Sequence, residues 1–204
     1  MNYFITAIGT DSGKTLVSAI VATAIQGEYW KPVQAGYPTD TDTIKKLTDS
    51  SIKCHNEQFI LNTPASPHYA AEVDNVVITM NDFVLPDSKK DLVIEGAGGT
   101  LVPLNNENFV IDLVPQLNAS IILVSNHYLG SINHTMLSLE LIKQRGYPLK
   151  GIIFNGPSNP STEKIILQHT QAPCLLSIPQ QESLNSGIIN NYAQLLSNRL
   201  DELD

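Results

Sequence analysis

The chain has 204 residues, 42% of them hydrophobic and 16% charged, with a formal net charge of −8. This length and balance suit one large domain with a two-sided core, and the acidic excess argues against a general nucleic-acid binder, which carries a basic stripe. No apolar run reaches the roughly 18 residues of a membrane span. Residues 1–7 lack the basic and apolar regions of a signal peptide, and Cys54 and Cys174 have neither metal nor disulfide-framework spacing, so a cytoplasmic protein without membrane contact is expected.

Taken in order, residues 3–7 read as a strand and residues 14–26 as a helix. Strand 29–33 and helix 40–47 follow, then strand 91–94 and helix 109–117. Strands 120–125, 150–155 and 173–177 alternate with helices 132–145, 161–170 and 189–203. Several strands are apolar without alternation, as strands covered on both faces are. Gly146 and Pro148 stop one helix, and Pro160 with Ser161 opens the next. The predicted fold is α/β, a mainly parallel sheet with helices on both faces, in a single domain over residues 1–204. In such sheets ligands collect beyond the carboxyl ends of the strands. The polar, glycine-rich segments obey that rule: residues 9–15, 31–36, 95–99, 126–133 and 155–156 all follow or end strands.

Ile8-Gly9-Thr10-Asp11-Ser12-Gly13-Lys14-Thr15 lies between an apolar strand and a helix, the setting of a phosphate-binding P-loop. In such a loop the backbone N–H groups wrap phosphate oxygens, the lysine reaches the β- and γ-phosphates, and the threonine hydroxyl joins Mg²⁺. Ile8 stands where the usual pattern has glycine. Asp91 to Glu95 supplies an apolar strand ending in a carboxylate, an arrangement that holds Mg²⁺ in P-loop enzymes, and Gly96-Ala97-Gly98-Gly99 lets backbone approach a ligand closely. Asp40 and Asp42 are candidates for a second carboxylate. Mg²⁺ takes few carboxylates plus phosphate oxygens, so two acids and one hydroxyl suffice.

With these segments in place the chain resembles dethiobiotin synthetase from Tyr3 to about Pro179. The resemblance rests on Gly13-Lys14-Thr15, Lys31-Pro32-Val33-Gln34-Ala35-Gly36, Pro64-Ala65-Ser66-Pro67-His68, Glu95-Gly96-Ala97-Gly98-Gly99 and Leu129-Gly130-Ser131-Ile132-Asn133-His134. It implies a P-loop NTPase-like ligase that uses ATP and CO₂ to close a cyclic urea on 7,8-diaminononanoate. Three steps are implied: capture of CO₂ by an amine as a carbamate, attack of the carbamate on the γ-phosphate, and displacement of phosphate by the second amine.

Carried over residue by residue, the resemblance gives Lys31 and Lys14 catalytic roles and puts Thr15, Asp42 and Glu95 around Mg²⁺. Asp11, Ser12, Gly13, Lys14, Thr15, Leu16, Asp42, Glu95, Gly96, Ala97 and Gly98 would surround the nucleotide phosphates. Asn155 and Gly156 with Pro179, Gln180 and Gln181 would border the adenine. Thr10, Asp11, Ala35, Gly98 and Gly99 would face the diamine or carbamate. Gly130, Ser131, Ile132 and Asn133, opening a helix, would hold the substrate carboxylate at a homodimer interface, as helix N-termini hold anions. Two departures stand out: in an ungapped alignment Ala7 replaces the opening glycine of the loop, and Ala35 replaces a common serine or threonine.

His68, His127 and His134 have no metal spacing and read as structural, Ser66-Pro67-His68 reads as a turn, which the resemblance places near the diamine, and Asn133 is also a possible helix cap. The main rival is a dimeric switch ATPase of the partitioning or cell-division-positioning kind. Such proteins carry a further lysine early in the phosphate loop, which residues 7–13 lack, and a basic C-terminal targeting helix, whereas Asp201-Glu202-Leu203-Asp204 is acidic. An amidase of the cobyrinate type needs a glutaminase domain, for which 204 residues leave no room.

Overall fold

The structure, a computed structural model, describes residues 1–203; Asp204 lies outside the described residues. Seven strands form one wholly parallel sheet in the order β4–β2–β6–β1–β7–β8–β9, with β1 (Asn2–Ala7), β6 (Leu92–Glu95) and β7 (Ala119–Asn126) at its centre. Outward from β6 come β2 (Glu28–Trp30) and β4 (Cys54–His55), and outward from β7 come β8 (Leu149–Gly156) and β9 (Cys174–Pro179).

Alternation along the strands divides the core into two layers. Tyr3, Ile5, Val93, Ile122, Val124 and Ile153 face a layer closed by α1 (Lys14–Ala24), α2 (Asp40–Leu47) and α7 (Ser186–Asp201). Phe4, Leu92, Ile94, Ile121, Leu123, Ile152 and Phe154 face the other layer, closed by α3 (Pro67–Asp74), α4 (Leu113–Gln116), α5 (Ser131–Gln144) and α6 (Pro160–Thr170). Burial on both faces is why the strands read as unbroken apolar runs. The expected architecture, a mainly parallel sheet with helices on both faces, is the one found.

The departures have local causes. The expected strand 29–33 ends at Trp30, because Pro32 has no N–H to continue the ladder. The chain resumes as β3 (Val33–Ala35), which leaves the main sheet and pairs in parallel with β5 (Phe59–Leu61). The turn expected at Ser66-Pro67-His68 is the start of α3: Ser66 is the N-cap, Pro67 occupies the first turn, and Ser66 Oγ lies 3.0 Å from His68 Nδ1. The expected helix 109–117 is a 3₁₀ turn, Val110–Asp112, running into the short α4, whose Pro115 cannot donate.

Two substitutions test the layering. Ile153 is wholly buried, so Ile153→Ala is expected to cost about 2–5 kcal/mol. Leu195, on α7 but 55% exposed, should tolerate alanine within about 0.5 kcal/mol. Urea denaturation of both variants measures the contrast.

Candidate active site

β1 delivers the chain to the phosphate loop at the carboxyl edge of the sheet. Ile8 still donates to Val124 O at 3.1 Å, so the ladder runs one residue further than the strand and holds the position where the usual motif has glycine. Asp11 (φ 55°) and Gly13 (φ 91°) then adopt left-handed backbone, which curls the loop. Successive N–H groups in such a curl make an anion-binding hollow. Ser12 Oγ donates to Gly9 O at 3.1 Å and braces it. Gly13 is the N-cap of α1 and offers no side-chain cap, so the first N–H groups of the helix remain open to an anion. Leu16 packs its side chain on the core, leaving only its backbone for a ligand.

Gly13 is fixed by a second demand. A Cβ there would collide with Asn155 Nδ2, which donates to Ser12 O at 3.0 Å. The asparagine expected at the base thus reaches from the end of β8 and ties that strand to the phosphate loop. Beyond it, Gly156 O accepts from Gln180 N at 3.1 Å, and Gln181 Nε2 donates to Pro179 O at 2.6 Å and to Tyr192 OH at 3.0 Å. Residues 155–156 and 179–181 therefore share one corner of the strand edge.

The charged centre lies between the loop and the ends of β2 and β6. Lys31 Nζ is 2.7 Å from Asp40 Oδ2 and 3.1 Å from Glu95 Oε1, and it donates to Gly96 O at 3.0 Å. Thr15 Oγ1 lies 3.0 Å from both Asp40 Oδ1 and Glu95 Oε1. Burial disfavours the Lys31 charge, but Glu95 and Asp40 overcome it and hold the ammonium above its ordinary range. Asp40 is likewise penalised by burial, yet Lys31 keeps its carboxyl below the usual value. Lys14 has no such partner: it donates to Gly9 O at 3.3 Å, and burial followed by the Lys31 charge pushes it down to about 8.

Of the two acids offered by the sequence, Asp40 belongs to this centre and Asp42 does not. Asp40 opens α2 beside Thr15 and Lys31, whereas Asp42 is two residues further round the helix, exposed, with its N–H donating to the Thr39 cap at 3.0 Å. Gln34 helps to fix this: its Oε1 accepts from Asp40 N at 3.0 Å and its Nε2 donates to Gly36 O at 3.0 Å. Gln34 thus lies against the 36–40 loop.

Beside these groups opens a cleft of about 650 Å³, lined by Thr10, Asp11, Gly13, Lys14, Thr15, Lys31, residues 33–35, Asp40, residues 64–67, Glu95, Ala97, Gly98 and Val102. Gly98 (φ 64°) leaves no room for a side chain, since a Cβ would meet Val102 Cγ2 at 2.5 Å. Gly96 and Gly99 pack against β1 and the loop, where a Cβ would come within 3.0 Å of Phe4 and 3.4 Å of Ala7 O.

Gly130, Ser131, Ile132 and Asn133 do not reach this cleft within the same chain. Gly130 (φ 105°) caps α5, so Asn133 is the helix's third residue and not its cap; Ile132 and Asn133 are exposed and Leu129 is fully so. The histidines have structural partners: His127 stacks on Phe154 and lies 3.0 Å from Glu163, and His134 lies 2.5 Å from Tyr128 OH.

Among the described residues no cluster of three His, Cys, Asp or Glu side chains could hold a metal alone. The trio of Thr15, Asp40 and Glu95 fits the other arrangement, a hard cation that takes part of its shell from phosphate.

A family model described as an AAA domain matches residues 1–187. The ATP-dependent dethiobiotin synthetase of Cytophaga hutchinsonii is 51% identical over 194 residues, 94% of each chain, and that of Christiangramia forsetii is 44% identical over 205 residues, 99% of each. The chain belongs to the dethiobiotin synthetase family. It is accordingly an enzyme, a ligase of the P-loop class. Solved structures share the fold at much lower identity. A putative plasmid partition protein of Borrelia burgdorferi bound to AMPPNP superposes with a TM-score of 0.59 at 13% identity, covering 98% of both chains. The septum site-determining protein MinD of Pyrococcus horikoshii complexed with Mg-ADP gives 0.54 at 16%, covering 100% of this chain and 96% of that one.

The geometry separates the two acids experimentally. Asp40→Asn should weaken Mn²⁺ binding to the ATP complex by about 10–100-fold, while Asp42→Asn stays within about twofold of the parent; electron paramagnetic resonance titration of free Mn²⁺ reads both. Lys14 gives a pH dependence. Below about pH 8 the free protein carries it charged and ready for phosphate. Above that pH nucleotide binding must take up a proton, so ATP affinity is expected to fall by up to ~tenfold per pH unit, measurable by calorimetry from pH 7 to 9.5.

Proposed function

We propose that residues 1–204 act as one P-loop domain that carboxylates 7,8-diaminononanoate with CO₂ and closes it to dethiobiotin at the expense of MgATP. The observation that carries this reading is the convergence of Lys14, Thr15, Lys31, Asp40 and Glu95 on a single cleft, in a chain 51% identical to a protein named for that synthesis. The diamine lies in the cleft against Ala35 and residues 64–67, and the phosphates lie on the loop. Thr15, Asp40 and Glu95 would hold Mg²⁺, which would supply charge compensation for the phosphoryl group. With nucleotide and metal present, the carboxylates that neutralise Lys31 are engaged elsewhere, and its ammonium is available to the carbamate anion and the γ-phosphate. Little covalent help is needed from the protein, because phosphoryl transfer depends on in-line placement and electrostatic compensation.

Ala35 offers no hydroxyl to the substrate, so the polar atoms of the diamine rely on backbone, solvent and Thr10. Asn155 and residues 179–181 flank the base. The start of α5 at Gly130–Asn133, exposed at Gly130, Ile132 and Asn133, serves the substrate carboxylate only from a second copy of the chain, which makes the active form a homodimer. No helix of the described residues is long and apolar enough to cross a membrane; the reaction's small-molecule substrates suit an enzyme of the cytoplasm.

Incubation with diaminononanoate, bicarbonate and MgATP should yield dethiobiotin, identified by mass. Lys31→Gln is expected to lower kcat by about 10²–10³-fold with little change in ATP affinity. Hydrolysis of ATP at full rate without the diamine, and no product with it, would instead favour a switch ATPase.

A further inference from the structure

Tyr29 is wholly buried on β2, and its hydroxyl donates to Glu95 Oε2 at 3.0 Å. The register explains the reach. Tyr29 is opposite Val93 on β6, and both side chains enter the same core layer. Glu95 is two residues further along β6 on that same face, roughly 6.6 Å away at the rise of a strand, about the length of a tyrosine side chain. The ring therefore lies along the sheet with its hydroxyl at the carboxylate.

The two oxygens of Glu95 are thereby divided. Oε1 faces Lys31 Nζ and Thr15 Oγ1, while Oε2 is held by Tyr29. Without that hydroxyl the carboxylate, only 1% exposed, would have an unpaired oxygen in the core and freedom to turn about its last torsion. Packing alone does not ask for the hydroxyl, since phenylalanine fills the same space.

We propose that Tyr29 is a positioning residue of the reaction, which fixes the Glu95 carboxylate so that Oε1 is presented to Thr15, Lys31 and the metal. The proposal rests on the reading of Glu95 as a metal-facing carboxylate. Tyr29 touches neither nucleotide nor diamine, and it acts only through Glu95.

Half-saturation of the ATP complex by Mn²⁺, followed by electron paramagnetic resonance, is the readout, with far-ultraviolet dichroism and Tm as folding controls. Tyr29→Phe is expected to raise the half-saturating Mn²⁺ concentration by roughly three- to tenfold and to lower kcat, leaving the KM for the diamine unchanged. In a Glu95→Gln background the same change should cost nothing further, because both act through one carboxylate. Should Tyr29→Phe fold poorly, 4-aminophenylalanine and 4-methylphenylalanine installed at position 29 replace it, the first retaining a donor and the second only the bulk. The amino variant should then bind Mn²⁺ close to the parent and the methyl variant should not. Parental Mn²⁺ binding in Tyr29→Phe or the methyl variant, with Glu95→Gln impaired, would reduce Tyr29 to a packing residue and overturn the proposal. Parental binding in Glu95→Gln itself would instead overturn the metal reading on which it stands.

Discussion

A lysine ammonium taken out of water at the end of a β-strand is costly, by several kcal/mol even after the protein relaxes around it. Lys31 is in that position, and much of the surrounding structure serves to keep it charged. Glu95 must end the neighbouring strand, Asp40 must open a helix at the right point, and the loop between Gly36 and Asp40 must be braced by Gln34. With Lys14, the four groups carry two positive and two negative charges, a balanced set. The balance is uneven in space, however: Lys31 has both carboxylates, and Lys14 has a backbone carbonyl and a like-charged neighbour. That asymmetry leaves Lys14 the group most in need of an anion, and the open N–H groups of α1 adjoin it.

Partition and septum-site ATPases share this fold at 13–16% identity, which shows how little the sheet itself says about chemistry. The chemistry lies in the loops that follow the strands. Here those loops bring a second lysine, two carboxylates and a walled cleft to the phosphate loop.

Much of this was legible in the residues. Unbroken apolar strands announced a sheet covered on both faces, and glycine-rich segments following them announced the ligand edge. Gly13-Lys14-Thr15, Lys31 and Glu95 were found because each has a motif and a strand end to locate it. The resemblance put Asp42 at the metal, whereas the structure brings Asp40 to Thr15 and Lys31; both acids follow the Thr39 cap, and only the helix's rotation decides which of them meets Lys31. Tyr29 left no trace, since an apolar-looking residue inside a strand gives no sign that its hydroxyl finds a carboxylate two positions along the next strand. The β3–β5 pair and α3 were missed for another reason: three-residue strands and a helix opening with proline carry too little periodicity to register.

The break at Pro32 has a consequence for how such an enzyme can change. Because β3 quits the main sheet and pairs only with β5, the cleft wall bearing Val33 and Ala35 belongs to a separate two-stranded ribbon. None of its ladder bonds is shared with the strands that carry the phosphate loop and Glu95. Leu61 and Phe59 nonetheless pack into the core layer of Phe4 and Ile94, so of the strand opposite Val33–Ala35 only the exposed Ile60 is free to vary without disturbing that layer. The ribbon is thus joined to the main sheet by side-chain packing and not by hydrogen-bonded pairing.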